Sequence, residues 1–221
     1  ASNNTAVGMD ALKLNTTGSE NAALGQGALD ANTTGASNTA LGRMTLSANT
    51  TAADNTAVGE SAMRFNTTGA SNVAVGASSL DANTTGASNV AVGYLSLSAN
   101  TTAADNTAVG AQSLQVNTVG ASNSGFGRYT LQNNTADNNT AVGRSALQEN
   151  TTGTQNTAVG AYAGDALTDA DYNTALGYAA LTLDTLGSHS VAIGHDALAT
   201  QNFTSATNSY NTAVGSQAGV A

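Results

Sequence analysis

The stretch N-T-A-V-G-E-S-A-M-R-F-N-T-T-G-A-S, residues 55–71, decides the fold, because Asn72-Val73-Ala74-Val75-Gly76 immediately begins it again. Aligned on the glycine that closes N-T-A-V-G, the unit runs through the whole chain. Those glycines are Gly8, Gly25, Gly42, Gly59, Gly76, Gly93, Gly110, Gly127, Gly143, Gly160, Gly177, Gly194 and Gly215. They stand 17 residues apart, except for 16 before Gly143 and 21 before Gly215. A fixed short period is the mark of a solenoid, in which each unit contacts mainly its neighbours. A longer period overlies it. L-D-A-N-T-T-G-A-S-N at Leu29–Asn38 returns three units later at Leu80–Asn89, and Leu46–Gly59 returns at Leu97–Gly110.

Glycine in every unit, frequent Thr and Val, and scarce Glu, Lys and Arg favour strand and turn over helix. Within the five-residue segment the period is two. Thr or Val three before the glycine shares a face with Val, Leu, Ile or Phe one before it. This face is expected to fill the coil's own core. Ala two before the glycine shares the other face with Asn four before it. Each recurs in twelve of thirteen units, the exceptions being Gly125 and Ser190. No charged residue falls in any of these segments. The strand is therefore expected to be buried on both sides, with the Ala face against another chain. A second short strand is expected around the Leu four after the glycine (Leu12, Leu29, Leu46, Leu80), replaced by Met63 in one unit and by Gly164 and Gly219 in two others. That reading gives each unit about three sizeable core side chains. Turns such as Asn15–Gly18 and Asn66–Gly69 follow, in residues that suit left-handed backbone.

Composition excludes several classes. Five Lys and Arg against 14 Asp and Glu leave a net charge of −9 and no basic stripe for nucleic acid. The absence of cysteine removes disulfides and thiolate metal sites. No apolar run approaches the ~18 residues of a membrane helix, so the chain is not expected to be membrane-inserted. With no visible signal peptide and a start inside a repeat, it reads as a piece or processed product of a longer polypeptide.

Chemistry is sparse. His189 and His195 flank one strand, and Asp196 follows His195. Catalytic and metal sites need several converging groups, so these read as surface residues at strand ends. Asp165, Asp169 and Asp171 form the one acidic cluster. It reads as a solvated loop rather than a Ca²⁺ site. The N-x-T sequons, such as Asn15-Thr16-Thr17 and Asn202-Phe203-Thr204, coincide with turns. The triplets Gly25–Gly27 and Gly125–Gly127 are repeat glycines, not a phosphate loop. No catalytic, cofactor-binding or metal residue is assigned, and the chain is not expected to be an enzyme.

Ser190-Val191-Ala192-Ile193-Gly194 resembles the S-V-A-I-G signature of the YadA-like head repeats of trimeric autotransporter adhesins. Asn72–Gly76 and Asn89–Gly93 are close variants. The wider N-T-A-V-G-x-x-A-L…N-T-T-G pattern is similar to repeats of phage tail-fibre and bacterial surface-fibre proteins. The resemblance covers nearly the whole chain, although the period is longer than that of YadA-like heads. It implies left-handed parallel β-rolls, three chains side by side, in a rigid rod on a cell or virion.

The expectation is an all-β, repetitive parallel β-solenoid (β-roll) of about 17 residues per coil. It forms one repeat domain over residues 1–221, with thirteen units that are atypical around 161–177 and 195–215, assembled as a homotrimeric rod. Its expected role is an extracellular fibre or adhesin segment for attachment or filament assembly. Its partners would be copies of itself and a host-surface or glycan receptor. The alternative is an ice- or glycan-binding module acting through a Thr/Asn-rich face.

Overall fold

The computed structural model describes residues 1–220. The protein is an all-β parallel solenoid of about 12 turns with ~17 residues per coil, and no helix occurs among the described residues. It divides into two compact units, Ala1–Asn106 and Thr107 onward. Unit one holds β1 (Thr5–Val7), β2 (Ala22–Leu24), β3 (Thr39–Leu41), β4 (Thr56–Val58), β5 (Val73–Val75) and β6 (Val90–Val92). Unit two holds β7 (Thr107–Val109), β8 (Ser124–Phe126), β9 (Thr140–Val142), β10 (Thr157–Val159), β11 (Thr174–Leu176), β12 (Gly187–Ser188), β13 (Val191–Ile193), β14 (Thr207–Asn208) and β15 (Thr212–Val214).

Register follows the repeat. Thr56 pairs with Val73, Ala57 with Ala74 and Val58 with Val75, all parallel, and the other rungs within each unit do likewise. A short second ladder, β12 with β14, forms where the period stretches before Gly215.

Each coil contributes one three-residue strand, and outside β12 and β14 the rest of it is turns and bends. The second strand expected around the Leu does not form. That Leu lies in left-handed backbone, with φ of 50° at Leu46 and 51° at Leu80, yet its side chain is completely buried. Left-handed residues recur at three slots of each coil: in the coil of Gly59 these are Asp54, Ser61 and Met63. An L-residue in this region costs about 1–2 kcal/mol. The conformation persists because it aims each N–H along the stacking direction. Asp54 N donates to Ala36 O at 3.1 Å, Ser61 N to Arg43 O at 2.9 Å, and Met63 N to Ser79 O at 3.0 Å.

The strand faces are the reverse of the sequence expectation. The central residue, Ala everywhere but Gly125 in β8, is buried in every three-residue strand except β1, whereas the flanking residues are half-buried or exposed. Available space is the reason. The interior already holds one Leu and two Asn per coil, and only a methyl fits opposite them. At Gly125 even that is excluded, because a Cβ would stand 2.6 Å from Ser113 Oγ and 3.2 Å from Thr130 Oγ1. The core therefore carries one large apolar side chain per coil instead of three.

The repeat glycine is required by stacking distance. Gly42 has φ of +137°, and a Cβ there would lie 2.6 Å from the carbonyl oxygen of Gly59 in the next coil. Gly42→Ala is expected to destabilise by about 2–4 kcal/mol in chemical denaturation. Ser71→Gly, at an exposed left-handed position with φ of 59°, is expected to stabilise by about 1 kcal/mol in the same measurement.

Candidate functional site

Two columns of asparagine line the interior. Asn four before the repeat glycine and Asn seven after it are both buried, as at Asn21, Asn32, Asn38 and Asn49. In the regular coils the two amides converge on one carbonyl. Gly35 O accepts from Asn21 Nδ2 at 2.9 Å and from Asn32 Nδ2 at 3.0 Å. Their Oδ1 atoms accept from the next coil, from Asn38 N at 3.0 Å and Asn49 Nδ2 at 2.9 Å. An amide carries both donors and acceptors, so a stack of amides satisfies most of its own groups, Asn100 Oδ1 being left buried without a partner. Ser190 interrupts the first column without breaking it, since its backbone N still donates to Asn173 Oδ1 at 2.8 Å. In the N-T-T turns the first Thr staples coils together: Thr16 Oγ1 donates to Thr33 O and Thr33 Oγ1 to Thr50 O. The second Thr is exposed, as at Thr17 and Thr34.

With both asparagine columns inside, the expected Thr/Asn-rich face does not exist as one surface. The N-T-T sequons at Asn32, Asn49, Asn66, Asn83 and Asn100 are sealed in the core, while Asn202 is exposed. The second asparagine column ends at Asn150, because the next rung is Leu167. Asn150 Oδ1 is left buried with no hydrogen-bond partner. Leu167 is fully buried and fills the room that Gly164 vacates at the usual leucine slot, a Cβ on Gly164 being 3.0 Å from Leu167 Cδ1. The next rung is Asp184, fully buried. It accepts from Gly187 N and Phe203 N, each at 3.1 Å, and from Gln201 Nε2 at 2.5 Å.

The surface offers two arrangements. One is the outward strand face. In unit one its apolar row is Val7, Leu24, Leu41, Val58, Val75 and Val92, beside Thr5, Ala22, Thr39, Thr56, Val73 and Val90. Val7 is 55% exposed and Leu24 48%, and an apolar depression of about 280 Å³ sits over β2 and β3. The other is a line of rings and cations in unit two, at the slots just after the repeat glycine.

Apart from the adjacent His195 and Asp196, the histidines and aspartates singled out from sequence are not brought together. His189 is sandwiched between Tyr172 and Tyr210, with ring centroids 4.8 and 5.0 Å away. His195 stacks on Tyr178 at 5.3 Å, and its Nδ1 lies 3.1 Å from Asp196 Oδ2. Asp169 accepts from Thr152 Oγ1, and Asp171 from Thr154 N and Oγ1. Burial pushes the Asp165 carboxyl up, opposed by the hydrogen bonds from Thr182 and its own backbone and reinforced by Glu149. Among the described residues no three His, Cys, Asp or Glu side chains converge as metal ligands would.

Sequence reasoning missed the interior asparagines and the outward apolar rows. A usable signal was present. The slot three before the glycine admits Thr, Val, Ala and Ser, whereas the Ala slot admits only Ala or Gly. The stricter limit on volume marks the inside. No protein-family model, curated protein or solved structure matches the chain.

Two outcomes test this interior. Gly164→Leu alone should overpack against Leu167 and Leu147, costing about 1–3 kcal/mol. Leu167→Asn alone should cost about 2–5 kcal/mol through its cavity. The double variant restores the leucine slot and the asparagine rung, and is expected to exceed the wild type in unfolding midpoint. Asp81 supplies a pH test. Burial pushes its carboxyl above the ordinary value, Arg64 pulling the other way, and its Oδ1 is buried without a partner. A raised folded pKa means the neutral acid is favoured in the fold, so this group's stabilising share is present below 3.8 and lost as pH rises. Asp81→Asn is expected to raise the urea midpoint at pH 7, and the gain should vanish at pH 3.

Proposed function

We propose that this chain is a segment of an extracellular fibre or adhesin, a rigid rod of three identical solenoids on a bacterial surface or virion. Its partners are copies of itself and a surface receptor, and it carries out no reaction. One observation carries the reading: within each unit the outward strand face is uncharged and bears a half-buried or exposed Val, Leu, Ile or Phe on every rung, mostly beside Thr or Val. Contiguous exposed apolar surface of this kind marks an interaction site, and charged residues are depleted at interface cores. This face, and not the inward Ala face, is the one that packs against neighbouring chains. The thin interior argues the same way, since coils with one large core side chain gain most from burying a second face. The likeness to YadA-like head repeats points in the same direction.

A second reading has its own support. Thr107, Ser124, Thr140, Thr157 and Thr174 place hydroxyls on five consecutive rungs beside Val109, Phe126, Val142, Val159 and Leu176. Such a regular rank of hydroxyl and methyl groups suits an ordered water or glycan surface.

Sedimentation equilibrium separates the two. The fibre reading expects three chain masses at micromolar protein. It also expects Leu24→Lys/Leu41→Lys to give monomers with an unchanged far-UV spectrum. A wild type that stays a folded monomer sinks the trimer, and thermal hysteresis from that monomer would favour the second reading.

A further inference from the structure

We infer that the ridge just after the repeat glycines of unit two is a binding site for an acidic glycan whose charges are spaced along a mostly neutral chain. The inference deepens the attachment reading above and rests on it.

The ridge is built by stacking. Arg128 and Arg144 follow the repeat glycines of neighbouring coils, and they are the only Lys or Arg in unit two. Both are exposed. Neither takes part in an ion pair among the described residues. Arg43 occupies the same slot in unit one and pairs with Glu60 of the next coil. Arg144 faces Ala161 at that slot instead, and the next-coil neighbour of Arg128 is Arg144 itself. Two like charges one coil apart, at about 4.8 Å rung spacing, repel each other. The chain has seven Asp and Glu in unit two and places none of them to neutralise the pair. An anion from outside would.

Aromatic rings continue the line. Arg128 Cζ lies 4.3 Å from the Tyr129 ring centroid, and its Nη2 donates to Tyr129 Oη. Arg144 Cζ lies 5.4 Å from the Tyr162 ring. Tyr162 meets Tyr178 edge-on at 6.0 Å, and Tyr178 stacks on His195 at 5.3 Å. Two guanidinium forks are thus followed by three rings over five coils. The forks match carboxylate or sulfate in bidentate fashion. Tyrosine offers an apolar body with a hydroxyl edge, which suits the C–H faces and hydroxyls of a sugar. A single-stranded nucleic acid would bring a charge at every nucleotide and needs a continuous basic groove. Two cations among seven acidic groups do not provide one.

The test is calorimetric titration of the full chain with hyaluronan and chondroitin sulfate hexasaccharides, neutral cello-hexaose and oligo-thymidylate. The acidic sugars are expected to bind, at least tenfold more tightly than the neutral one or the oligonucleotide. Arg128→Gln/Arg144→Gln should lose at least tenfold, whereas Arg43→Gln should bind like the wild type. No binding of either acidic sugar overturns the inference. So does equal binding of cello-hexaose, tighter binding of oligo-thymidylate, or an Arg128→Gln/Arg144→Gln variant that binds normally. Sedimentation of the same samples keeps the two readings apart. A monomeric wild type that binds acidic sugars removes the trimer and leaves the ridge standing. A trimer without such binding removes the ridge alone.

Discussion

Everything in this molecule hangs on a pair of asparagine amides and the carbonyl they share. In each regular coil two distant parts of the turn are tied to one oxygen, as Asn55 and Asn66 are tied to Gly69 O at 2.9 and 3.0 Å. The same amides accept from the coil above, Asn72 N reaching Asn55 Oδ1 and Asn83 Nδ2 reaching Asn66 Oδ1. Closure of the coil and stacking of coils are thus the work of the same side chains. In a low-dielectric interior such a network is strong when complete and costly when interrupted. The interruption at Leu167 shows both sides of this. The leucine shift keeps the volume filled, but Asn150 Oδ1 is orphaned, a loss of about 1–3 kcal/mol.

Those amides also decide the surface. With two Asn and one Leu per coil inside, the strand can turn only Ala inward, and its larger Thr and Val residues must face out. The exposed apolar face follows from a crowded interior, not from a surplus of hydrophobic sequence. Charges are then confined to the slots around the turns. There the stacking of equivalent slots turns single substitutions into columns, such as the rings of Tyr172, His189 and Tyr210. A solenoid writes its surface one rung at a time.

Much of this was legible. The period, the parallel ladder, the N-T-A-V-G strand and the glycine turns all follow from residue types and spacing. The orientation of the strand did not, because alternation shows that two faces differ without saying which is inside. The left-handed Leu did not either. A buried leucine among small residues resembles a strand, and the bond from Met63 N to Ser79 O, which makes left-handed backbone acceptable there, belongs to another coil. The ridge was hidden for a similar reason: Arg144 and Tyr162 are neighbours only once coils stack.

The sequence by itself determined the repeat, because a 17-residue period in strand and turn residues allows each unit to satisfy its backbone only against the units beside it. It also determined where glycine must stand. Only the tertiary structure decided which face of the strand looks outward. That choice depends on the volume left by side chains from elsewhere in the coil, and no local pattern carries that volume.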